Sequence, residues 1–265
     1  MIKNIRGTNE SIAYVCAVPH GCQRSTGVLF AHGGGSMRSG PHRMFVEIAL
    51  HLNRLGYYTY RFDMRGCGDS EGTYSSSDME SGADDVGAMV KHFRQLTDIK
   101  KVVLFGISRG SYYSFKCALS GKASVDGMIL LSMPFRTIAT ATRGATERLR
   151  EYVRKAFTWQ GFTKVIRGRV SVKRIVGTVA YAYELGREYD TRIARLVRKA
   201  CPALFVYGDA DPIAAPSWEQ YSVLCRQHRI PCECVMFRNG NHSFTDYRWT
   251  PMIINVVCRW LTNPG

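Results

Sequence analysis

Seven short apolar runs, at residues 11–18, 26–31, 57–62, 101–106, 125–131, 202–208 and 232–237, alternate with helical stretches at 42–55, 78–97, 109–120, 215–228 and 245–261. This rhythm constrains the chain more than any other feature. A helix between two strands returns the chain to the same end of the sheet, so the strands run parallel and the helices cover both faces. The expected fold class is therefore α/β: a mostly parallel, twisted sheet with helices on both sides. Ligand chemistry then belongs at the carboxyl ends of the strands. With 265 residues and 45% hydrophobic content, the chain can bury a core of that size.

At one such strand end, Lys101-Val102-Val103-Leu104-Phe105 runs into Gly106-Ile107-Ser108-Arg109-Gly110, with a helical stretch following. Strand, turn and helix around G-x-S-x-G are what a sharp elbow needs to present a serine, and the flanking glycines relieve the crowding there. The positive end of the following helix points at the serine. An alcohol is a poor nucleophile near neutral pH, so Ser108 needs a base and a carboxylate to fix the tautomer of that base. His242 lies in Arg238-Asn239-Gly240-Asn241-His242-Ser243-Phe244, just past the run 232–237. The loop Gly208-Asp209-Ala210-Asp211-Pro212-Ile213, which leaves the run 202–208, offers two carboxylates. None of His20, His42, His51, His92 and His228 has a motif around it, and His32 is expected to make structural hydrogen bonds.

These residues resemble the α/β-hydrolases, in which serine, acid and histidine follow one another on successive strand ends. Two further stretches carry the resemblance. Phe30-Ala31-His32-Gly33-Gly34-Gly35 is similar to the oxyanion loop of lipases and esterases. Arg61-Phe62-Asp63-Met64-Arg65-Gly66-Cys67-Gly68-Asp69-Ser70-Glu71-Gly72 resembles the D-x-R-G-x-G-x-S-x-G turn of the lysophospholipase-like and serine-aminopeptidase-like branches. Gly40-Pro41-His42-Arg43-Met44-Phe45, with that turn, also resembles hydrolases associated with exosortase gene clusters. The resemblance implies Ser108, Asp211 and His242 as the catalytic residues, with Asp209 shaping the turn. It implies the amides of Arg109 and of Gly34, with Gly35 next to it, as oxyanion donors. Asp63 and Arg65 are expected to pair and brace their loop.

The resemblance also divides the chain into a core of residues 1–135 and 201–265 and a helical lid at 136–200. That segment holds sixteen Lys and Arg against five Asp and Glu, so it carries +11 of the formal +15. Two readings of this charge stand side by side: a lid that draws in an anionic substrate, including acyl groups carried by CoA or an acyl carrier protein, and a solvated amphipathic surface. Phe157, Trp159, Phe162, Tyr181 and Tyr183 are candidate substrate contacts or lid core. No nucleic-acid recognition module is present among these residues.

The expected activity is serine-dependent hydrolysis of a carboxylic ester or thioester through an acyl-enzyme. Acyl transfer or cyclisation is the alternative, and a non-catalytic ligand-binding homologue is the alternative of another class. No cofactor or metal is called for. Nine scattered cysteines, no secretory leader and no apolar run approaching the roughly 18 residues of a membrane span lead to the expectation of a cytoplasmic protein with reduced thiols. Oligomeric state has no signature in the sequence.

Overall fold

The structure, a computed structural model, describes residues 10–21, 23–73, 79–134, 201–212 and 214–263. The expected lid at 136–200, with Phe157, Trp159, Phe162, Tyr181 and Tyr183, lies outside the described residues. Within them the order is β1 (Tyr14–Ala17), β2 (Thr26–Ala31), a 3-10 turn (Pro41–Arg43), α1 (Met44–Arg54), β3 (Tyr58–Phe62), α2 (Met79–Leu96), β4 (Lys101–Ile107) and α3 (Arg109–Ser120). Then follow β5 (Gly127–Leu131), β6 (Ala203–Gly208), α4 (Ser217–Gln227), β7 (Cys232–Phe237) and α5 (Trp249–Thr262).

One seven-stranded sheet has the order β1-β3-β2-β4-β5-β6-β7, with every pair parallel except the edge pair β1 and β3. β4 sits at the centre, and its residues Val102 to Ile107 are all buried. A strand covered on both faces must be apolar at every position, which is why β4, β5 and β6 read as unbroken apolar runs. On one face Val28, Phe30, Val103, Phe105 and Ile107 pack against Phe45, Ile48 and Leu52 of α1 and Ile253, Val257 and Trp260 of α5. The other face carries α2 and α3; Tyr60 there meets Phe93 with ring centroids 5.0 Å apart.

Two boundaries differ from expectation by three residues or more, each for a local reason. β1 occupies four residues of the run 11–18, because the backbone before it is bonded to the turn at 63–72. Ser11 N–H donates to Glu71 Oε2 at 2.7 Å and Ala13 N–H to Ser70 Oγ at 2.9 Å. α5 begins at Trp249 rather than 245. Pro251 has no N–H and fits only the first turn of a helix, so a start at 245 would place it in the interior.

Candidate active site

Ser108 stands between β4 and α3 with φ 53° and ψ −115°, a conformation rare for a residue with a side chain. The turn is held from two sides. Ser108 N–H and Ser111 Oγ both donate to the Leu131 carbonyl of β5, each at 2.8 Å. The glycines answer to different neighbours. A Cβ on Gly106 would stand 2.5 Å from the Ser111 nitrogen, and a Cβ on Gly110 would stand 2.0 Å from the Ala31 carbonyl oxygen and 2.6 Å from that of His32. Backbone cannot yield as a flexible side chain does. Gly110→Ala is therefore expected to lower stability by about 3 kcal/mol, at the top of the usual overpacking range, and to spoil the site by pushing α3 from β2. Urea denaturation checks this, and a loss below about 1 kcal/mol would show that β2 moves aside readily.

Three side chains from three strand ends meet above the elbow. Ser108 Oγ lies 2.8 Å from His242 Nε2, and His242 Nδ1 lies 2.6 Å from Asp211 Oδ2. The carboxylate can only accept, so Nδ1 carries the proton and Nε2 offers its lone pair to the serine hydroxyl. Asp211 is fully buried, and its other oxygen accepts the Ala214 N–H at 3.0 Å, whereas the His242 side chain is 34% exposed. The acid is thus locked and the imidazole stays open to a ligand. Asp209 does a different job: its Oδ1 accepts the Asn239 N–H at 2.6 Å and ties the acid loop to the histidine loop. The same two loops touch at Gly208, where a Cβ would stand 2.1 Å from the Gly240 carbonyl oxygen. That contact has no signal in the spacing of the sequence.

The glycine loop lies beside the elbow. A Cβ on Gly33 would be 3.6 Å from Ser108 Cβ and 3.4 Å from the Ile107 carbonyl oxygen, which makes Gly33 the residue of the loop that packs directly on the serine turn. Gly34 and Gly35 are exposed, and Gly35 has φ 70°. His32 organises them. Its Nε2 can only be accepting, because the Met64 N–H points at it from 2.8 Å; its Nδ1 therefore carries the proton and donates to the Gly33 carbonyl at 2.7 Å. That carbonyl belongs to the same planar peptide as the Gly34 N–H, so the His32 bond sets which way that amide points.

Burial pushes the His32 pKa below its ordinary 6.5, against the smaller upward pull of the Gly33 carbonyl and Asp63. Burial also lowers His92. A neutral histidine favoured by the fold gives stability that is complete above the unfolded pKa near 6.5 and declines as pH falls below it, since the unfolded chain then binds more protons. The melting temperature should fall on acidification from pH 7 to 5. In His32→Gln part of that slope should vanish, and at pH 7 the lost bonds should cost roughly 1–3 kcal/mol. An unchanged slope in the variant would assign the effect elsewhere.

The expected Asp63 and Arg65 pair does not form. Buried Asp63 instead takes the Arg38 guanidinium, the Arg38 N–H at 2.5 Å and the Asp69 N–H at 3.0 Å. Arg65 turns to Glu10 at 2.9 Å and Asp85 at 3.0 Å. Each side chain is claimed by partners from other segments of the chain, so closeness in sequence misleads. Asp63 still braces its own loop through the Asp69 N–H and the Ser70 hydroxyl, and it also holds the segment after Gly35 through Arg38. Among the described residues no group of His, Cys, Asp and Glu side chains could hold a metal ion, and no helix is long and apolar enough to cross a membrane.

A mostly parallel sheet with helices on both faces and a serine elbow on its central strand is the architecture of the α/β-hydrolases. The family described as serine aminopeptidase, S33, matches residues 23–245, and the chain belongs to that family. Along its whole length it is similar to Est1E from Butyrivibrio proteoclasticus, solved with ferulic acid bound, with a TM-score of 0.69, 17% identity and coverage of 100% of this chain and 98% of that one. A thermophilic esterase from Thermogutta terrifontis superposes with a TM-score of 0.61 at 22% identity over 96% of this chain and 93% of that one. In sequence the chain is 31% identical to a lysophosphatidylserine lipase, ABHD12, of Danio rerio over 113 residues, 42% of this chain and 28% of that protein. The match thus spans less than a third of that relative's length.

Proposed function

We propose that the protein is a serine hydrolase that cleaves carboxylic esters through an acyl-enzyme. The observation that carries this reading is the continuous line from Asp211 to His242 to Ser108, with separations of 2.6 and 2.8 Å. In it, His242 Nε2 takes the Ser108 proton as Oγ bonds to the acyl carbon, and Asp211 stabilises the imidazolium that forms. The tetrahedral oxyanion is received by the Arg109 amide at the start of α3 and by the amide of Gly34, with Gly35 beside it. The imidazolium then gives its proton to the leaving alkoxide, and water activated by the same histidine releases the acid. A thioester carbonyl fits the same steps, with a thiol leaving.

Esters are favoured over peptides because the relatives include a lysophosphatidylserine lipase and an esterase, although the family is described by an aminopeptidase. A cytoplasmic setting, where thiols stay reduced, goes with this reading. A fluorophosphonate probe tests the reading directly. The intact wild-type protein should gain the mass of one phosphonyl group and Ser108→Ala should gain none; a wild type that stays unlabelled from pH 6 to 9 would overturn it.

A further inference from the structure

The segment after the glycine loop folds back on itself: Gly40 N–H donates to the Met37 carbonyl at 2.9 Å and Phe45 N–H to that of Ser39 at 3.0 Å. Gly40, His42 and Arg43 all have left-handed φ, of 70°, 36° and 67°. For the two residues with side chains this conformation costs about 1–2 kcal/mol each, and it persists only where the surroundings impose it. Here Phe45 does so, fully buried against the rings of Phe30 and Phe105 at 5.2 and 5.5 Å. Exposed Arg43 lies two residues before Phe45, and Phe30, on which the Phe45 ring packs, is the sheet partner of Arg61 of β3, so the turn sits on the same side of the sheet edge as Arg61.

Arg61 lies opposite Phe30 of β2 in the sheet, half-buried, and its Nη1 donates to the Arg38 carbonyl at 3.3 Å. The Arg38 guanidinium is already taken by Asp63 and Asp69. No carboxylate among the described residues pairs with Arg43 or Arg61. Burial first, and then the charges of Arg38 and Arg43, push the Arg61 guanidinium below its ordinary value, opposed by Asp63. A half-buried cation flanked by cations is costly unless an anion joins it.

We propose that Arg43 and Arg61 together bind an oxyanion, a phosphoryl or carboxylate group, whose charge completes this cluster. Guanidinium forks suit either group, because each can present two parallel donors to two oxygens. The site lies on the rim that also carries Ser108 but apart from it. β3 is two strand spacings, about 10 Å, from β4, so the anion would be the far end of a long substrate or a separate ligand. The anion site does not depend on the esterase reading, because its binding is measured without turnover.

The probe is inorganic phosphate, titrated into the full chain at constant ionic strength against chloride. At ten times its Kd, phosphate should raise the melting temperature saturably by about 3–5 °C. Arg43→Gln and Arg61→Gln should each weaken this shift, the double variant should lose it, and Arg61→Lys should keep part of it, each read against its own melting temperature in chloride. No shift in wild type, or an equal shift in the double variant, overturns the proposal; the latter would put phosphate on other basic residues. Two supporting outcomes distinguish the source. If phosphate competes with an ester carrying a terminal phosphate but not with p-nitrophenyl butyrate, the site reads the substrate's own anionic group. Should it bind saturably and compete with neither, the ligand is free phosphate.

Discussion

Ser108→Ala is expected to fold like the wild type and to turn over a p-nitrophenyl ester about 10⁶-fold more slowly, the scale seen when a nucleophile of this kind is removed. The small structural cost follows from the site. Ser108 is partly exposed, and its hydroxyl bonds to His242 Nε2, whose side chain is 34% exposed, so water can take the vacated place. The large kinetic cost follows from the acyl-enzyme, which cannot form without Oγ. Because serine and histidine act as one unit, Ser108→Ala/His242→Ala should be no slower than Ser108→Ala alone. Measured kcat values decide the matter: a Ser108→Ala enzyme within tenfold of wild type would mean that the chemistry does not pass through this serine.

Asp211→Asn is expected to lower kcat at pH 7 by about 10⁴-fold, roughly 5 kcal/mol, while leaving the nucleophile in place. The carboxylate accepts from the Ala214 N–H at 3.0 Å and from His242 Nδ1 at 2.6 Å. An asparagine can keep the first bond with its carbonyl, which turns its amide donor toward Nδ1. Nδ1 must then accept, the proton moves to Nε2, and the lone pair that should take the serine proton is gone. The variant tests a role, because Asp209→Asn should be far milder: that carboxylate caps Asn239 at the surface and does not reach the imidazole. Equal losses at the two positions would sink the assignment of Asp211. Slow but complete fluorophosphonate labelling of Asp211→Asn would separate a misdirected tautomer from a collapsed site.

Much of the fold and of the site was legible because the informative residues lie where apolar runs stop. A covered parallel strand must be apolar along its length, so its carboxyl end is marked by the first polar or glycine residue. Ser108, Asp211 and His242 follow β4, β6 and β7 in this way. The elbow glycines were legible for a related reason, since nothing larger than hydrogen fits between α3 and the backbone beside it. Contacts made by residues far apart in the chain were not legible. Arg38 reaches Asp63 across 25 residues and Gly208 meets Gly240 across 32, and neither pair leaves a periodic or local trace. Where a local guess was made, for Asp63 with Arg65, it failed because each finds its partner in a distant segment, Asp63 in Arg38 and Arg65 in Glu10 and Asp85.

By itself the sequence determined which residues stand at the carboxyl ends of the strands, through apolar patterning and the steric demands on glycine. Both are short-range properties, written in neighbouring residues. Only the tertiary structure decided which loops touch: that the Asp209 carboxylate bonds the histidine loop, that His32 holds the peptide bearing the Gly34 amide, and that Phe45 packs on Phe30, the sheet partner of Arg61. Those choices depend on how seven strands twist and align side by side, and sheet register is set by the packing of the whole core rather than by any one segment.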